Sequence, residues 1–558
     1  MVDHQHSHQV SRRAFLTIFG ASTGAVVLAA CGPTGVPSAA TSAPPAAPTS
    51  AAAAASKPAA TTPPVAAQAQ PTAATSAQPK SGGTLQAAKL GDAANLDGHY
   101  WSPGGGLHVW LSYDTLARYD QNLKPQPQLA ESWDVSGDGK QITVNLRKGV
   151  MYHSGRELTS EDVVWNLQRA LNPKITVGIL GGFFGLDPTF TARDKYTVLL
   201  QTSQPWPTVF DMFHVVNMLD KDTIDVASNT QTKAVGTGPF VFQEWKQGES
   251  MRFTKNPNYW QSGKPYLDEV VVNVRKDAQS MVADLEAGSL QLAYNITLQD
   301  AMRLKSDSSY VVQLLTPSAG MYQMQPNVTF KPLDDKRVRQ ALNYAIDRKR
   351  IADTVLLGLV GPEDLPWPTT SPAYEAAKNT MYAFDLDKAK SLLSQAGVSN
   401  LTLDFVYAPT LPEYGTIAEI YQGDLAKIGV TLNVRSMDLA ALFDVIHSQK
   451  YNGLYTLNDN WAAMEPISML AAGASLNPRI NNAGFKDDQY TQLADAAKGE
   501  PDAAKRKQLY SQINDYLLDQ CFGLPIAPTT DRVATKANVH DVGMGFNNLM
   551  RFESTWIG

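Results

Sequence analysis

Residues 128–150, QLAESWDVSGDGKQITVNLRKGV, contain two short strand-like segments joined by turn-forming residues. Glu131 to Val135 and Gln141 to Leu146 alternate apolar and polar side chains, which is typical of strands with one buried face. Between them, Gly137-Asp138-Gly139 supplies residues that readily adopt the dihedral angles of a tight turn. The stretch therefore predicts a β-hairpin.

Helical signals follow the hairpin. Thr159 and Asp162 have the spacing of a capping box, and the apolar stripe behind them runs to Pro173, where we expect the helix to end. Two more helices are predicted after Pro332 and from Pro501. The predicted buried stripes are Val163, Val164, Leu167, Ala170 and Leu171; Val338, Ala341, Leu342, Ala345 and Ile346; and Leu509, Ile513, Tyr516 and Leu517. In the second helix, Arg337, Arg339 and Asp347 are expected to face solvent. With strands near 267–274 and 401–406, the pattern predicts a large mixed α/β body.

Length and composition divide the chain. Residues 31–80 are almost entirely Ala, Pro, Ser, Thr and Gln, so we expect a disordered tether. Residues 81–558 exceed the ~250–300 residues that one hydrophobic core supports, which predicts at least two lobes. The formal net charge is −6 and no long basic run occurs, which argues against nucleic acid as a partner.

The first 31 residues resemble an export signal. Arg12 and Arg13 precede an uncharged run from Ala14 to Ala30, and Leu28-Ala29-Ala30-Cys31 follows. These features resemble a twin-arginine signal and a bacterial lipobox, which implies that residues 1–30 are removed and that Cys31 carries lipid. The alternative is a transmembrane helix, but seventeen residues with internal Gly, Ser and Thr are short for a ~30 Å hydrocarbon layer.

Several motifs in the body resemble the family 5 extracellular solute-binding proteins of ABC importers. They occur in family order and are Gln128 to Trp133, Ser136 to Gly139, Leu146 to Val150, Glu161 to Val164, Gly236 to Phe240, Asn256 to Trp260, Leu267 to Glu269, Arg337 to Leu342 and Leu524-Pro525. The resemblance implies a two-lobed α/β periplasmic-binding-protein fold, class II-like and of the large family 5 type. In that fold an extra subdomain is inserted in lobe I, and a two-strand hinge joins the lobes.

The resemblance also implies domain boundaries. Lobe I is expected at 81–116, 232–315 and 525–558, the inserted subdomain at 117–231, and lobe II at 316–524. The hinge is then expected near Thr316-Pro317 and Leu524-Pro525.

By the same resemblance, the protein captures a peptide or similar organic solute between closing lobes and delivers it to an ABC permease and its ATPase. It is expected to be a monomer, lipid-anchored on the extracytoplasmic face of the bacterial membrane. Because no GxxxxGK[ST] loop is present, we expect no nucleotide hydrolysis.

Aromatic and polar residues in loops are candidate ligand contacts, because aromatic rings stack on apolar or sugar groups and polar atoms orient them. The candidates are Tyr100, Trp101, Tyr322, Trp367, Asn458, Asp459, Trp461, Met464 and Glu465. Peptide-binding members place an aspartate three residues after the tryptophan that resembles Trp461, whereas this chain has Met464 there. A thioether cannot hold an ammonium group, so a standard free-amine peptide is disfavoured unless Asp459 or Glu465 substitutes. A peptide recognised through its backbone, an oligosaccharide and another organic solute all stay open.

Two other classes of protein stay open. One is a ligand-presenting sensor, adhesin or chaperone of the same fold. The other is a secreted hydrolase, which is disfavoured because no HExxH occurs and GxSxG occurs only in the signal segment. No cofactor is predicted. The sequence contains no His/Cys/Asp cluster with metal-ligand spacing, so it predicts no metal site and disfavours free nickel as the solute.

Overall fold

The chain mixes strands and helices, as its periodicity predicts. The computed structural model describes residues 78–93, 95–99, 106–120, 122–172, 187–223, 232–315, 320–409, 413–456, 465–545 and 550–558. The strands are β1 (Thr84–Leu90), β2 (Ala117–Tyr119), β3 (Pro125–Pro127), β4 (Ala130–Val135), β5 (Gln141–Leu146), β6 (Thr189–Asp194), β7 (Thr197–Gln201), β8 (Phe240–Lys246), β9 (Ser250–Lys255), β10 (Glu269–Arg275), β11 (Leu292–Tyr294), β12 (Tyr310–Leu315), β13 (Met321–Pro326), β14 (Leu401–Tyr407), β15 (Val430–Ser436), β16 (Gly453–Thr456), β17 (Leu524–Pro528), β18 (Asp531–Lys536), β19 (Val539–His540), β20 (Gly543–Met544), β21 (Met550–Arg551) and β22 (Trp556–Ile557).

Helices connect most of these strands. Those in the described ranges are α1 (Gly106–Ser112), α2 (Ser160–Ala170), α3 (Val209–Val215), α4 (Ala278–Ala287), α5 (Leu298–Lys305), α6 (Lys336–Tyr344), α7 (Arg348–Thr354), α8 (Leu386–Gln395), α9 (Glu413–Ala426), α10 (Leu439–His447), α11 (Pro466–Ala472), α12 (Asp488–Gly499) and α13 (Ala503–Gln520), with a 3-10 turn at Ala376–Lys378. Within these ranges, none of the helices combines the length and apolar character that a bilayer crossing demands.

The predicted hairpin and the helix after it are confirmed. β4 and β5 pair antiparallel, with Trp133 opposite Val144, and Gly139 in the turn has a φ of +67°. At the start of α2, the Asp162 carboxylate accepts hydrogen bonds from the backbone N–H and the hydroxyl of Thr159, each at 2.9 Å. The hairpin belongs to a four-stranded sheet of order β4-β5-β7-β6.

A seven-stranded sheet of order β12-β18-β11-β1-β10-β9-β8 forms the first lobe. Its central strands β1, β10 and β11 run parallel and are covered on both faces, as parallel sheets require. Leu85 and Ala87 face a core that includes Leu107 and Leu111 of α1. Ala88 faces the opposite core, which α4 and α5 complete.

A five-stranded sheet of order β15-β14-β16-β13-β17 forms the second lobe. The residues of β17 belong to this sheet as far as Pro528, which pairs with Met321 of β13. The passage back to the first sheet therefore lies at Thr529-Thr530. The predicted boundary at Leu524-Pro525 is four residues too early, because pairing with β13 keeps the chain in the second sheet through β17.

The chain crosses between these two sheets at two neighbouring places. One crossing lies between β12 and β13, and the other between β17 and β18. The crossings touch, since the backbone N–H of Thr529 donates to the carbonyl of Gly320 at 2.9 Å. The predicted hinge residues Thr316-Pro317 themselves lie outside the described residues.

One prediction about the helices is wrong. Arg339 does not face solvent, since its side chain is buried and donates to the carbonyl of Gln520 at 2.7 Å and to that of Leu333 at 2.8 Å. Gln520 is the last residue of α13, where carbonyl groups lack helical partners. The guanidinium donates to one of these carbonyls. This hydrogen bond holds the Arg339 side chain in the interior, although its position on the helix alone predicts that it faces solvent. Cys521, which follows, is buried as expected.

Candidate functional site

The carboxyl ends of the parallel strands in both large sheets lie beside the crossings. In the first sheet, the end of β11 is next to the start of β18, with Tyr294 opposite Val533. In the second sheet, the end of β16 is next to β13, with Thr456 opposite Met324. Open α/β sheets bind ligands outside the carboxyl ends of their strands. The region where these two edges meet is therefore the candidate binding cleft.

A buried ion pair joins the two edges. Arg532 of β18 donates from Nη1 to Oε1 of Glu413 at 2.6 Å, and Glu413 is the first residue of α9 in the second lobe. The hydroxyl of Tyr322 on β13 donates to the other carboxylate oxygen at 3.1 Å. The Tyr322 and Tyr414 rings pack edge to face with centroids 5.8 Å apart. The Arg532 side chain is 1 % exposed, so water does not screen this contact between lobes.

Electrostatics at this contact follow from burial and pairing. Burial opposes the charge of Arg532, but the Glu413 carboxylate and Tyr322 outweigh it and raise the pKa of Arg532 overall. Burial, and then the charge of Glu413, hold the pKa of Tyr322 well above its usual value. Burial raises the pKa of neighbouring Asp531 to about 7, against the opposing charge of Arg532. Beside the Glu413 carboxylate, the cluster therefore favours a charged Arg532 and a neutral Tyr322.

A lysine lies at the same edge of the first sheet. Lys89 is near the end of β1 and one residue past Ala88, which pairs with Ala293 of β11. Its side chain is buried, and burial lowers its pKa to about 8, with Asp92 opposing the shift. In the part of the chain that the structure describes, no three His, Cys, Asp or Glu side chains cluster in a way that could hold a metal ion.

Three of the predicted ligand contacts lie in described residues, and each hydrogen-bonds to a different partner. Tyr322 belongs to the ion-pair cluster. Trp367 is fully buried in the second lobe, where its indole N–H donates to Oδ1 of Asn514 at 2.7 Å. Glu465 precedes α11 and accepts a hydrogen bond from the hydroxyl of Tyr510.

The other predicted positions lie outside the described residues. They are Tyr100, Trp101, Asn458, Asp459, Trp461 and Met464 among the ligand contacts, and Arg12, Arg13 and Cys31 in the N-terminal segment.

Glu413 and Arg532 were missed by sequence reasoning. They are 119 residues apart, and neither belongs to a recognisable motif. The available signal was the charged dipeptide Asp531-Arg532 shortly after the predicted hinge, at the start of strand β18, whose first five residues are buried. An ionic side chain at the buried end of a strand needs a partner, and a hinge is where that partner can come from the other lobe.

Comparison with known proteins matches this architecture. The model of the "Bacterial extracellular solute-binding proteins, family 5 Middle" matches residues 124–475. Heme-binding protein A of Haemophilus influenzae is 30 % identical over 438 residues, covering 72 % of this chain and 78 % of that protein. The dipeptide-binding protein of Escherichia coli K12 is 30 % identical over 438 residues, covering 72 % and 81 % respectively. The solved structure of AgaA from A. tumefaciens R10 with agropinic acid has a TM-score of 0.75 at 25 % identity, covering 85 % of this chain and 99 % of that one.

Proposed function

The chain belongs to the bacterial extracellular solute-binding proteins of family 5, and from that premise we propose that it captures a peptide or similar organic solute between two closing lobes. One observation carries the proposal. The carboxyl edges of both large sheets meet at a double crossing, where a buried ion pair and a tyrosine connect them. Two rigid sheets joined in this way form a clamp that can open and close on a solute.

Binding energy is converted into closure in such a clamp. A solute that touches both lobes only when they are closed shifts the population toward the closed state. A preference of about 5.5 kcal/mol for that state changes an open-to-closed ratio of 99:1 into 1:99. The proposed role needs no chemical step on the solute.

The solute class rests on two further arguments. Relatives named for heme and for dipeptides support an organic solute rather than a free ion. Met464 in place of the amine-binding aspartate of peptide-binding members favours a solute without a free α-amino group, or one recognised through its backbone. We propose a peptide with a blocked or unused amine as the first choice.

Delivery and anchoring complete the proposal. Lipid on Cys31 would keep the clamp near a membrane permease, and the Ala/Pro-rich segment 31–80 would act as a tether. The closed clamp would then dock on the permease, whose ATPase supplies the energy of import. Replacing Cys31 with Ser should release the protein from the membrane fraction, and retention of that variant would contradict the anchor.

The test is a thermal-shift screen of the purified full chain against free peptides, N-acetylated peptides, oligosaccharides and metal chelates. A solute at 100 times its dissociation constant stabilises the folded state by about 2.7 kcal/mol, which raises the melting temperature measurably. We expect N-acetylated peptides to stabilise at least as well as free ones. Stabilisation by free-amine peptides alone would refute the argument from Met464, and solute turnover would refute a pure binding role.

A further inference from the structure

A second contact between the lobes lies away from the crossings and involves an unusually placed carboxylate. Asp211 is on α3, in the region between the two parts of the first lobe, and its side chain is fully buried. Its Oδ1 accepts a hydrogen bond from the hydroxyl of Tyr119 on β2 at 2.6 Å. Its Oδ2 accepts one from the hydroxyl of Ser468 on α11 of the second lobe.

The two sides of this contact belong to bodies that the crossings join. Asp211 and Ser468 are 257 residues apart, and the chain between them passes through the crossing from β12 to β13. Buried side chains of the four-stranded region and of the second lobe nevertheless form one continuous core cluster. Arg169 of α2 also pairs with buried Asp97 at 2.6 Å, and His153 contacts the carbonyl of Gly238 at 3.0 Å, which tie the four-stranded region to the first lobe. Bending at the crossings would then pull Ser468 away from Asp211.

Charged and titratable groups face Asp211 from every element packed against it. They are Arg118 and Tyr119 on β2, His214 on α3 itself, and Glu465 before α11. Arg506 and Tyr510 on α13 contact the Glu465 carboxylate. Arg118 is engaged by Asp114 at 3.0 Å. His214 is kept neutral because burial, with Arg118 and Arg551, lowers its pKa to about 3. Within the described part of the chain, no cation on these elements therefore forms an ion pair with Asp211.

We propose that Asp211 and Ser468 form a latch that is made only when the lobes close, and that a proton on the Asp211 carboxyl strengthens the closed state. The proposal rests on the clamp function proposed above and adds a regulatory input to it. Closing removes water from Asp211 and brings the Glu465 carboxylate near. Two neighbouring groups can accommodate the neutral acid, because the hydroxyls of Tyr119 and Ser468 can rotate to accept a hydrogen bond from it.

The direction of the pH effect follows from the two states. In this structure, which the proposal takes as the closed state, burial raises the pKa of Asp211 to about 7, with hydrogen bonds from Ser468 and Tyr119 opposing it and the Glu465 charge adding to it. Once opened to water, the carboxyl would titrate near the usual value of about 4. Closing then takes up a proton at any pH between these values. Between pH 8 and pH 6 the closed-to-open ratio should rise roughly tenfold, since one pH unit below the closed-state pKa changes the linked equilibrium by that factor.

The experiment reads closure without a solute. The full chain, with Cys31 replaced by Ser, carries a donor and an acceptor dye at Val135→Cys and Ile480→Cys, two exposed positions of which one lies in the four-stranded region and the other in the second lobe. Energy transfer is measured by single-molecule fluorescence at pH 6 and pH 8. The native Asp211 chain should show a roughly tenfold larger closed-to-open ratio at pH 6. D211N should resemble the protonated form at both pH values, and S468A should be more open at both.

Controls and outcomes separate this idea from the binding function. Asp353→Asn removes an exposed carboxylate and should titrate like the parent. Equal closed populations at pH 6 and 8 in the parent, or a D211N variant that still titrates, would overturn the latch. If the closed populations without solute are equal at both pH values while a solute from the thermal screen still closes the protein, the latch fails and the clamp function stands. If pH closes the parent but no solute binds, the clamp function fails instead.

Discussion

Replacing Glu413 with glutamine should destabilise the protein strongly, although the two side chains have nearly the same size. The glutamine amide would offer one carbonyl acceptor and no charge, so it could not both neutralise Arg532 and accept from Tyr322 as the carboxylate does. Arg532 would keep its donation to the carbonyl of Thr530 at 2.9 Å, but its buried guanidinium would lose the Glu413 carboxylate with which it forms its ion pair. Removing one member of a buried ion pair costs about 3–5 kcal/mol.

The assay is urea unfolding of the full chain, followed by tryptophan fluorescence. Glu413→Gln, Arg532→Met and the double variant form a cycle that isolates the coupling between the two side chains. Each single variant should lose about 3–5 kcal/mol of unfolding free energy. The double variant should recover most of that loss, because it leaves no unpaired charge in the interior.

A matched control is an exposed ion pair. Asp353→Asn breaks the contact with Lys349 on α7, where both side chains are more than half exposed, and should cost at most about 0.5 kcal/mol. The reasoning is refuted if Glu413→Gln costs no more than this control. It is also refuted if the loss in the double variant equals the sum of the single losses.

Three further predictions concern packing and capping. Trp367→Phe should lower the free energy of unfolding by about 1–3 kcal/mol, because it leaves the Oδ1 of Asn514 without its donor. We expect no change in solute preference, and a change would show that the indole contacts the ligand. Gly238→Ala should cost about 3 kcal/mol or more in urea unfolding, since the new Cβ would lie 2.4 Å from a backbone carbon of Ser112. Gly137→Ala, with no neighbour within 4 Å, is its control. Asp277→Ala should remove the N-cap of α4, at a cost of about 0.5–2 kcal/mol, and speed amide exchange in its first turn.

The sequence predicts best those features whose causes lie within a few residues. The hairpin at 131–146 and the Thr159–Asp162 cap depend on turn dihedrals and on hydrogen bonds that span three residues, and both are present in the structure. The exposed position expected for Arg339 is wrong because its carbonyl partner Gln520 comes from a helix 181 residues away. Local periodicity contains no information about such a partner.

The same limit applies to the hinge and to the candidate site. The run Leu524–Pro528 is apolar enough to fit either sheet, and only its pairing with β13 decides which one it joins. The Glu413–Arg532 pair and the Asp211–Ser468 contact each join residues more than a hundred positions apart. The family resemblance predicted a cleft between two lobes. The polar contacts that join its two sides depend on tertiary packing, which local sequence patterns do not contain.

The two hydrogen-bonded crossings have a consequence for how lobe motion can be measured. A single connection would let one lobe swivel in any direction, whereas two neighbouring ones, tied by Thr529 and Gly320, resist sliding and twisting. In the proposed clamp, the remaining soft motion would be a bend about the line through both crossings. Opening would then have a single mechanical coordinate, and one well-chosen pair of spectroscopic probes would be enough to follow it.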